Sequence, residues 1–333
     1  MSTATAAVER ERRSANPIAT FVQRNGWTLA LLALLALLLV FTKLIQPRYG
    51  APGIQGLAIS VLPLALAAVG QAIVVIAGGI DLSVGSIMAL TNVVAAVLMK
   101  DQSAEFGVAV VIGVLLLGLV VGAVNGILVA VTRVPDIVVT LAMSFVWAGC
   151  ALLVLPSPGG GAVKWLTDLV LGSIGNEWIP KAAVLLVVVV AVIWIPIRRT
   201  KVGLSLYAVG SNQLAAFRSG VSVGRTRVIA YALMGLFAAL GGLSLTASTG
   251  IGTPIGAAYT LQSVAAIVLG GVSLAGGRGG VFGALVAVVV LQLVRTDMTF
   301  LNLNSNFTTV AQGLILIGVV MVGTLFQLRR SRA

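Results

Sequence analysis

The chain has 333 residues, of which 59% are hydrophobic and only 9% are charged. A soluble domain carries roughly 25% charged residues, so this chain has too few to cover a water-facing surface of its size. It contains no His, a single Cys and nine carboxylates, which argues against zinc sites, disulfides and His-dependent catalysis. Composition therefore predicts an integral membrane protein with no metal site, no cofactor and no catalytic residues.

The formal net charge of +12 is also typical of proteins that bind nucleic acid. Here, however, the basic residues lie at the ends of apolar runs and in short loops, where they set membrane topology. We therefore expect no nucleic-acid partner. The sequence has no G-x-x-x-x-G-K-[ST] phosphate loop, so we expect the chain neither to bind nor to hydrolyse ATP by itself.

Apolar runs divide the chain into a membrane domain and two polar tails. Residues 1–26 form a cytoplasmic N-terminal tail, residues 27–326 the transmembrane domain, and residues 327–333 a basic C-terminal tail. The first run is too long for a signal-peptide core and lacks a cleavage site straight after it. A spanning helix needs about 20 apolar residues. On this measure we predict an all-α fold with about ten transmembrane helices, some of them broken or re-entrant, at 27–45, 57–77, 83–99, 107–131, 137–155, 180–197, 228–247, 260–276, 281–295 and 306–326.

Ten spans place both termini on the same side of the membrane. If that side is the cytoplasm, 15 of the 21 basic residues fall inside and 6 fall outside. This split agrees with the excess of Lys and Arg in cytoplasmic loops, and the inverted topology would reverse it. We therefore expect cytoplasmic N and C termini.

The longest polar interruption is residues 198–227, which hold six basic residues and no acidic one. The positive charge predicts a cytoplasmic loop. The sequence at its centre predicts a short helix between two glycines. A helix there favours a docking surface over a plain connector. For five of the basic residues we expect only topology signalling and contact with lipid headgroups; these are Arg198, Arg199, Lys201, Arg225 and Arg227.

A second interruption, residues 156–179, is rich in Gly and Pro and contains Trp165 and Trp178. Tryptophan favours the membrane interface. The segment is therefore either an external loop or re-entrant segment near the headgroups, or a plain surface connector.

Two glycine-rich interruptions resemble each other. Residues 78–86 read GGIDLSVGS and residues 270–278 read GGVSLAGGR, which align without gaps at an offset of 192. Paired interruptions of this kind occur at the binding sites of transporters, although glycines also serve close helix packing. Asp81, the one carboxylate inside such an interruption, either caps the third span or contacts a solute.

Single polar residues inside the predicted spans either line a pathway or bond a neighbouring helix. Two aromatic residues of the fifth span, Phe145 and Trp147, offer a face to a solute ring or face lipid. The candidates for the pathway and its broken helices are Gly79, Asp81, Ser83, Asn92, Asn125, Phe145, Gly271 and Ser273.

Several motifs, spread over most of residues 57–325, together point to one transporter family. They are 78–85 (GGIDLSVG), 124–126 (VNG) with 133–135 (RVP) and 139–142 (VTLA), 207–220 (YAVGSN followed by AAFRSG) and 269–279 (LGGVSLAGGRG). In these motifs the chain resembles the permease subunits of ribose-type ABC importers, within the branched-chain amino acid/ribose permease superfamily.

The resemblance implies a subunit of a bacterial inner membrane importer for a sugar or sugar-like solute. The implied partners are a cytoplasmic ATP-binding subunit with two fused nucleotide-binding domains, a second permease copy or paralogue, a periplasmic or lipid-anchored sugar-binding protein, and membrane lipid. The family's ATPase-coupling segment is carried over onto Asn212, Ala215, Ala216, Arg218, Ser219 and Gly220.

Two departures from the family pattern stand out. Asp136 follows Pro135 where an aromatic residue is frequent, which bears on the inner mouth of the pathway, and residues 217–220 read FRSG where RLSG is usual. An ion-coupled secondary transporter of a small polar solute is the alternative function, with Asp81 as its one good relay group. An intramembrane enzyme is disfavoured because His, Cys and embedded acids are scarce.

Overall fold

The computed structural model describes residues 17–303 together with 307, 310, 313 and 314. Helices dominate this part of the chain, and a two-stranded hairpin, β1 (Ser173–Ile174) and β2 (Asn176–Pro180), is added to them. In chain order the helices are α1 (Pro17–Ile45), α2 (Ala51–Ile76), α3 (Val84–Met99), α4 (Ala104–Thr132), α5 (Asp136–Val154), α6 (Lys164–Val170), α7 (Lys181–Val189), α8 (Ile195–Arg198), α9 (Lys201–Ser211), α10 (Gln213–Arg218), α11 (Val223–Thr249), α12 (Ala257–Leu269) and α13 (Val281–Phe300).

Seven helices of the described chain are long and apolar enough to cross a membrane. Six of them are α1, α2, α4, α5, α11 and α13, and the seventh, Lys181–Arg198, joins α7 and α8 through a π-helical segment at Val190–Trp194. The apolar helices α3 and α12 have only 16 and 13 residues. The first nine predicted spans thus coincide with apolar helices, but the count of ten is not confirmed. The tenth, at 306–326, lies outside the described residues except at 307, 310, 313 and 314.

The predicted span 260–276 is wrong at its C-terminal end, because α12 stops at Leu269. Gly271 adopts a φ of +82°, and the N–H of Val272 donates back to the carbonyl of Ile267 at 2.9 Å. This left-handed cap ends the helix. Hydropathy does not reveal the end because apolar residues continue beyond the cap.

Helix α11 lies at the centre of the bundle and packs against α4, α2 and α3. The approach to α4 is close at glycines: a Cβ added to Gly235 would lie 2.9 Å from the Cα of Gly122. Small residues allow membrane helices to approach in this way. In contrast, the apolar windows of α1, α5 and Lys181–Arg198 are only 11%, 17% and 11% buried. These helices therefore present their apolar surface to lipid or to a neighbouring chain.

Residues 156–179 form an ordered cover over one end of the bundle. The N–H of Gly161 donates to the carbonyl of Ala96 at 2.8 Å, and Gly159 and Gly252 form an isolated antiparallel bridge. The indole N–H of Trp165 in α6 bonds the carbonyl of Ala104 at 3.0 Å. With its helix, hairpin and long-range bonds the segment is more than a plain connector.

The 198–227 segment contains two short helices and the start of a long one. Thr200 caps α9, and Asn212 caps α10 by accepting the N–H of Ala215 at 3.0 Å. The expectation of a short helix between glycines is confirmed by α10, which lies between Gly210 and Gly220. Residues 223–227 are not loop, however, because α11 already begins at Val223.

Candidate functional site

The two glycine interruptions have the same local structure. At the end of α2, Gly78 has a φ of +85° and the N–H of Gly79 donates to the carbonyl of Val74 at 3.0 Å, which is the pattern that Gly271 forms after α12. The structural equivalent of Gly78 is therefore Gly271, an offset of 193 rather than the 192 of the sequence alignment. The likeness between the two segments is real, and its register is shifted by one residue.

Both interruptions meet α9 at one end of the bundle. The N–H of Gly277 donates to the carbonyl of Ile76 at 2.9 Å. A Cβ added to Gly210 in α9 would overlap that same carbonyl and lie 2.6 Å from the nitrogen of Gly277. Backbones this close leave no room for a side chain. The central part of the 198–227 segment thus contacts both helix breaks directly.

Tyr207 adds a side-chain link between α9 and the second interruption. Its hydroxyl donates to the carbonyl of Gly279 at 3.1 Å. Burial raises the pKa of this hydroxyl, and nearby Arg198 opposes the shift only in part. Tyr207 therefore stays protonated at neutral pH and keeps its donor role.

A buried polar cluster lies just beyond the first interruption. Asp81, Ser83 and Asn125 are all fully buried. Asp81 Oδ1 accepts the backbone N–H and the hydroxyl of Ser83, both at 2.6 Å. Asn125 Nδ2 donates to Ser83 Oγ at 2.7 Å, and Trp147 Nε1 donates to Asn125 Oδ1 at 3.1 Å. Three of the predicted pathway residues are thus hydrogen-bonded together, and Trp147 is the aromatic residue that joins them.

Asp81 only partly fits its expected capping role. The N-cap position of α3 belongs to Ser83, two residues later, and Asp81 stabilises this turn through its Oδ1. Its other oxygen, Oδ2, is buried and has no hydrogen-bond partner among the described residues. A buried carboxylate oxygen without a partner is costly, so the position fits a contact with a solute or ion as well as a turn.

The backbone of the first interruption is held by α5 and α11. Thr140 Oγ1 accepts the N–H of Leu82 at 3.1 Å. The hydroxyl of Tyr231 lies 3.1 Å from Asp136 Oδ2 and 3.4 Å from the carbonyl oxygen of Ile80. Asp136, which departs from the family pattern, therefore takes part in the site.

Arg227 corrects an expectation. Instead of facing lipid headgroups, its guanidinium Nη1 lies 3.8 Å from Asp136 Oδ1, and the two side chains are only 21% and 14% exposed. The sequence could not reveal this pair, because its members lie 91 positions apart and Arg227 stands among exposed basic residues.

Other predicted pathway residues lie elsewhere. Asn92 is buried and binds α11 and the chain beyond it: its Nδ2 donates to Thr246 Oγ1 at 2.8 Å, and its Oδ1 accepts the N–H of Thr253 at 2.6 Å. Phe145 is 73% exposed and therefore faces lipid or another chain. Ser273 belongs to the second interruption with Gly271, and its N–H donates to the carbonyl of Arg278 at 3.1 Å. The structure therefore separates this group from the Asp81 cluster.

Gln71 is a buried polar residue that the sequence patterns do not reveal. Gln71 lies inside α2 with no exposed surface, and neither its Oε1 nor its Nε2 has a hydrogen-bond partner within the described part of the chain. One buried amide in a 26-residue apolar helix gives little signal in a hydropathy profile. Only the surroundings of the side chain identify it as a candidate for solute contact.

The predicted coupling residues lie in α10 and at its two ends. Asn212, Ala215, Arg218, Ser219 and Gly220 are exposed, whereas Ala216 is buried against the chain itself. Ala216 is therefore unavailable to a partner. The two large apolar side chains of this helix are also exposed, Leu214 at 59% and Phe217 at 67%.

Within residues 17–303, no group of three His, Cys, Asp or Glu side chains is placed to hold a metal ion. The site instead consists of contacts between helices and of buried hydrogen-bonding groups. The exposed helix α10 follows α9, which contacts both helix breaks at Gly210, and a buried set of hydrogen-bonding groups lies beside the first break.

Comparison with known proteins identifies the family of the chain. Residues 53–325 match the family model described as branched-chain amino acid transport system / permease component. The ribose import permease protein RbsC of Escherichia coli (strain K12) is 34% identical over 264 residues, covering 78% of this chain and 81% of that protein. RbsC of Bacillus subtilis (strain 168) is 32% identical over 297 residues, covering 86% and 90%.

A more distant relative is the autoinducer 2 import system permease protein LsrD of Escherichia coli O9:H4 (strain HS). It is 28% identical over 325 residues, covering 93% of this chain and 95% of that protein. No solved structure matches the chain. The family match and the coverage of these relatives show that the chain is a multi-pass bacterial inner membrane protein that belongs to the family of branched-chain amino acid transport system permease components.

Proposed function

We propose that the chain is the transmembrane subunit of an ATP-binding-cassette importer for a sugar or sugar-like solute. The observation that carries this proposal is the family match over residues 53–325, together with relatives that are ribose import permeases. In this function the chain provides the pathway and performs no chemistry. ATP is hydrolysed by a separate cytoplasmic subunit with two fused nucleotide-binding domains.

The remaining partners follow from the same function. An extracytoplasmic binding protein delivers the solute, and a second permease copy or a paralogue completes the pathway. The largely exposed α5 and Lys181–Arg198 helices offer apolar surface for such a partner or for lipid. Membrane topology in this proposal is ten spans with both termini in the cytoplasm.

The ATP-binding subunit docks on α10. Its six residues present Leu214 and Phe217, three positions apart and therefore on one face of the helix. Exposed apolar groups of this kind anchor protein interfaces. Arg218, next to Phe217, supports the contact with a charge.

The solute passes the buried polar cluster. Asp81, Asn125 and Trp147 combine a carboxylate, an amide and an indole, which are groups that bind hydroxyls and sugar ring faces. The relatives are named for import of ribose and of autoinducer 2. We therefore place a small polyhydroxylated solute first among the candidates.

One observation favours a second candidate, an ion-coupled secondary transporter. The unpaired Oδ2 of Asp81 is the kind of buried acid that such carriers use as a relay. The two functions differ in their energy source. Uptake by an Asp81→Asn variant that still depends on ATP favours the importer, whereas uptake that needs an ion gradient and not ATP favours the carrier.

The test uses the chain reconstituted in proteoliposomes with its ATP-binding subunit and binding protein. Uptake of radiolabelled ribose, other pentoses, hexoses and autoinducer 2 is measured with and without ATP on the cytoplasmic side. We expect ATP-dependent uptake of at least one of these compounds. The proposal is contradicted if none of these compounds is taken up, or if their uptake does not depend on ATP.

Docking on α10 is tested with a charge in the apolar face. Phe217→Asp is expected to reduce co-purification of the ATP-binding subunit at least about tenfold, as loss of an interface anchor does. Leu204→Asp is the matched control, because Leu204 is 72% exposed on the neighbouring α9. Equal effects of the two substitutions contradict docking through α10.

A further inference from the structure

The first turns of α11 connect the docking helix with the first glycine interruption. Only four residues separate the end of α10 at Arg218 from the start of α11 at Val223. This corner is hydrogen-bonded, because the N–H of Val221 and that of Ser219 both donate to the carbonyl of Ala216, at 3.0 and 3.1 Å. A displacement of α10 is therefore passed to the start of α11 rather than absorbed by a loose linker.

Two residues one turn apart on α11 are linked to the interruption, Tyr231 directly and Arg227 through Asp136. Arg227 pairs with Asp136, and Tyr231, four positions later on the same face, contacts Asp136 Oδ2 and the carbonyl of Ile80. A Cβ added to Gly79 would lie 2.7 Å from Asp136 Oδ2 and 2.8 Å from the hydroxyl of Tyr231. The backbone of the interruption at Gly79 therefore packs directly against the side chains of Asp136 and Tyr231.

The contact extends to the buried polar cluster through the backbone. Residues 77–80 join α2 to Asp81. Asp81 Oδ1 accepts from Ser83, and Ser83 Oγ in turn accepts from Asn125. A shift of Ile80 by the α11 side chains therefore moves the group that carries the unpaired oxygen of Asp81. Thr140 holds the next peptide, at Leu82, from α5, so α5 and α11 act on the same short segment.

The ion pair of Arg227 and Asp136 can adopt two alternative side-chain arrangements. Both side chains are largely withdrawn from solvent, where an opposite charge matters more than on an open surface. Yet the separation of 3.8 Å is long for an ion pair, and the buried Nε of Arg227 has no partner among the residues described. The guanidinium can therefore improve its contacts in a second conformation.

We propose that Arg227, acting through Asp136, and Tyr231, acting on both Asp136 and Ile80, are positioning residues that transmit the movement of α10 to the first glycine interruption. This inference rests on the proposed function, because it assumes that an ATP-binding subunit moves α10. It adds a defined route for that movement, in which α11 acts on Ile80 and so on the Asp81 cluster.

The first test separates transport from ATP hydrolysis in the reconstituted complex. Arg227→Asp and Asp136→Arg are expected to raise the number of ATP molecules hydrolysed per ribose taken up about tenfold, within the range of coupling effects between sites. The double exchange Asp136→Arg with Arg227→Asp restores the opposite charges and is expected to recover at least about half of the lost coupling. Arg225→Asp, an equal charge change at an exposed residue of the same turn, is the matched control.

The second test does not depend on the solute. Ile80→Cys is introduced with Cys150→Ser, and the rate of labelling by a small methanethiosulfonate reagent is compared with and without ATP plus vanadate. We expect trapping to change the rate at least about fivefold, the lower end of the range for coupled sites. Arg227→Asp should abolish this change and the double exchange should restore it. Tyr231→Phe is expected to weaken the change.

The inference is overturned if trapping leaves the labelling rate unchanged, if Arg227→Asp behaves like Arg225→Asp, or if the double exchange is no better than the single variants. The proposed function fails differently. In that case the unmodified complex itself shows no ATP-dependent uptake of any compound in the panel.

Discussion

At the scale of single residues, buried polar groups divide into those that hold helices together and those with unmet hydrogen bonds. Asn92 and Gln292 are of the first kind, since the amide of each bonds the backbone or side chain of another helix. Gln71 and the Oδ2 of Asp81 are of the second kind. In an apolar surrounding an unmet bond carries a free-energy cost, and such a cost is retained where function needs it.

Gln71 allows this distinction to be tested. Gln71→Met keeps the length of the side chain and removes an amide without partners, so we expect an equal or higher melting temperature in detergent. Gln292→Met is the control, because Gln292 Nε2 donates to the carbonyl of Ser60 at 3.0 Å. Its loss should cost about 1 kcal/mol. We also expect ATP-driven ribose uptake to fall severalfold in Gln71→Met; a melting temperature lowered as in Gln292→Met contradicts this account of Gln71.

At the scale of elements, the close contact between α4 and α11 fixes the position of the coupling residues on α11. A methyl group on Gly122 would overlap the carbonyl oxygen of Tyr231, the residue that reaches Ile80. Packing of these two helices therefore also positions the side chain that we assign to coupling. This is why small residues recur along α4 at the contact and why larger residues occupy its exposed face.

Two glycines of α4 make a matched pair for this contact. Gly122→Ala forces α4 and α11 apart and is expected to cost about 1–3 kcal/mol, the usual range for overpacking. Gly113→Ala lies on the same helix with no atom within 4 Å of the new Cβ, so it should leave stability unchanged or raise it by less than about 1 kcal/mol. Thermal unfolding in detergent measures both. Equal melting temperatures for the two variants would show that the contact is loose.

The elements also show what sequence reasoning could and could not reach. Length and hydropathy placed nine helices because a spanning helix is a local property of some 20 residues. The end of α12 was misplaced because its glycine cap lies inside an apolar run. The pairing of Arg227 with Asp136 and the burial of Gln71 depend on which helices become neighbours, and no local pattern encodes that. The residue types of Asp81 and Asn125 predict polar groups inside the membrane, and the fold connects the two through Ser83.

At the scale of the whole molecule, the two ends of the bundle have different characters. Helix α2 connects them: near its start Gln55 Nε2 donates to the carbonyl of Glu177 in the hairpin at 2.8 Å, and its last residue, Ile76, contacts α9 and Gly277. A helix of 26 residues is about 39 Å long, enough to cross a bilayer. The hairpin and the 198–227 segment therefore lie at opposite ends of a spanning helix.

This separation and the distribution of charge lead to a prediction of topology. With the 198–227 segment in the cytoplasm, 15 of 21 basic residues are inside, as the positive-inside rule requires. We expect alkaline phosphatase fused after Gly172 to be active, because Gly172 precedes the hairpin at the outer end. A fusion after Gly220 should be inactive, and a green fluorescent protein fused after Ala333 should fluoresce. The fusions are compared at equal expression, since an unstable fusion also lacks activity. Active phosphatase at Gly220 with an inactive fusion at Gly172 would invert the molecule and remove α10 from any cytoplasmic ATPase, whereas a dark fluorescent protein at Ala333 alone would contradict only the even number of spans.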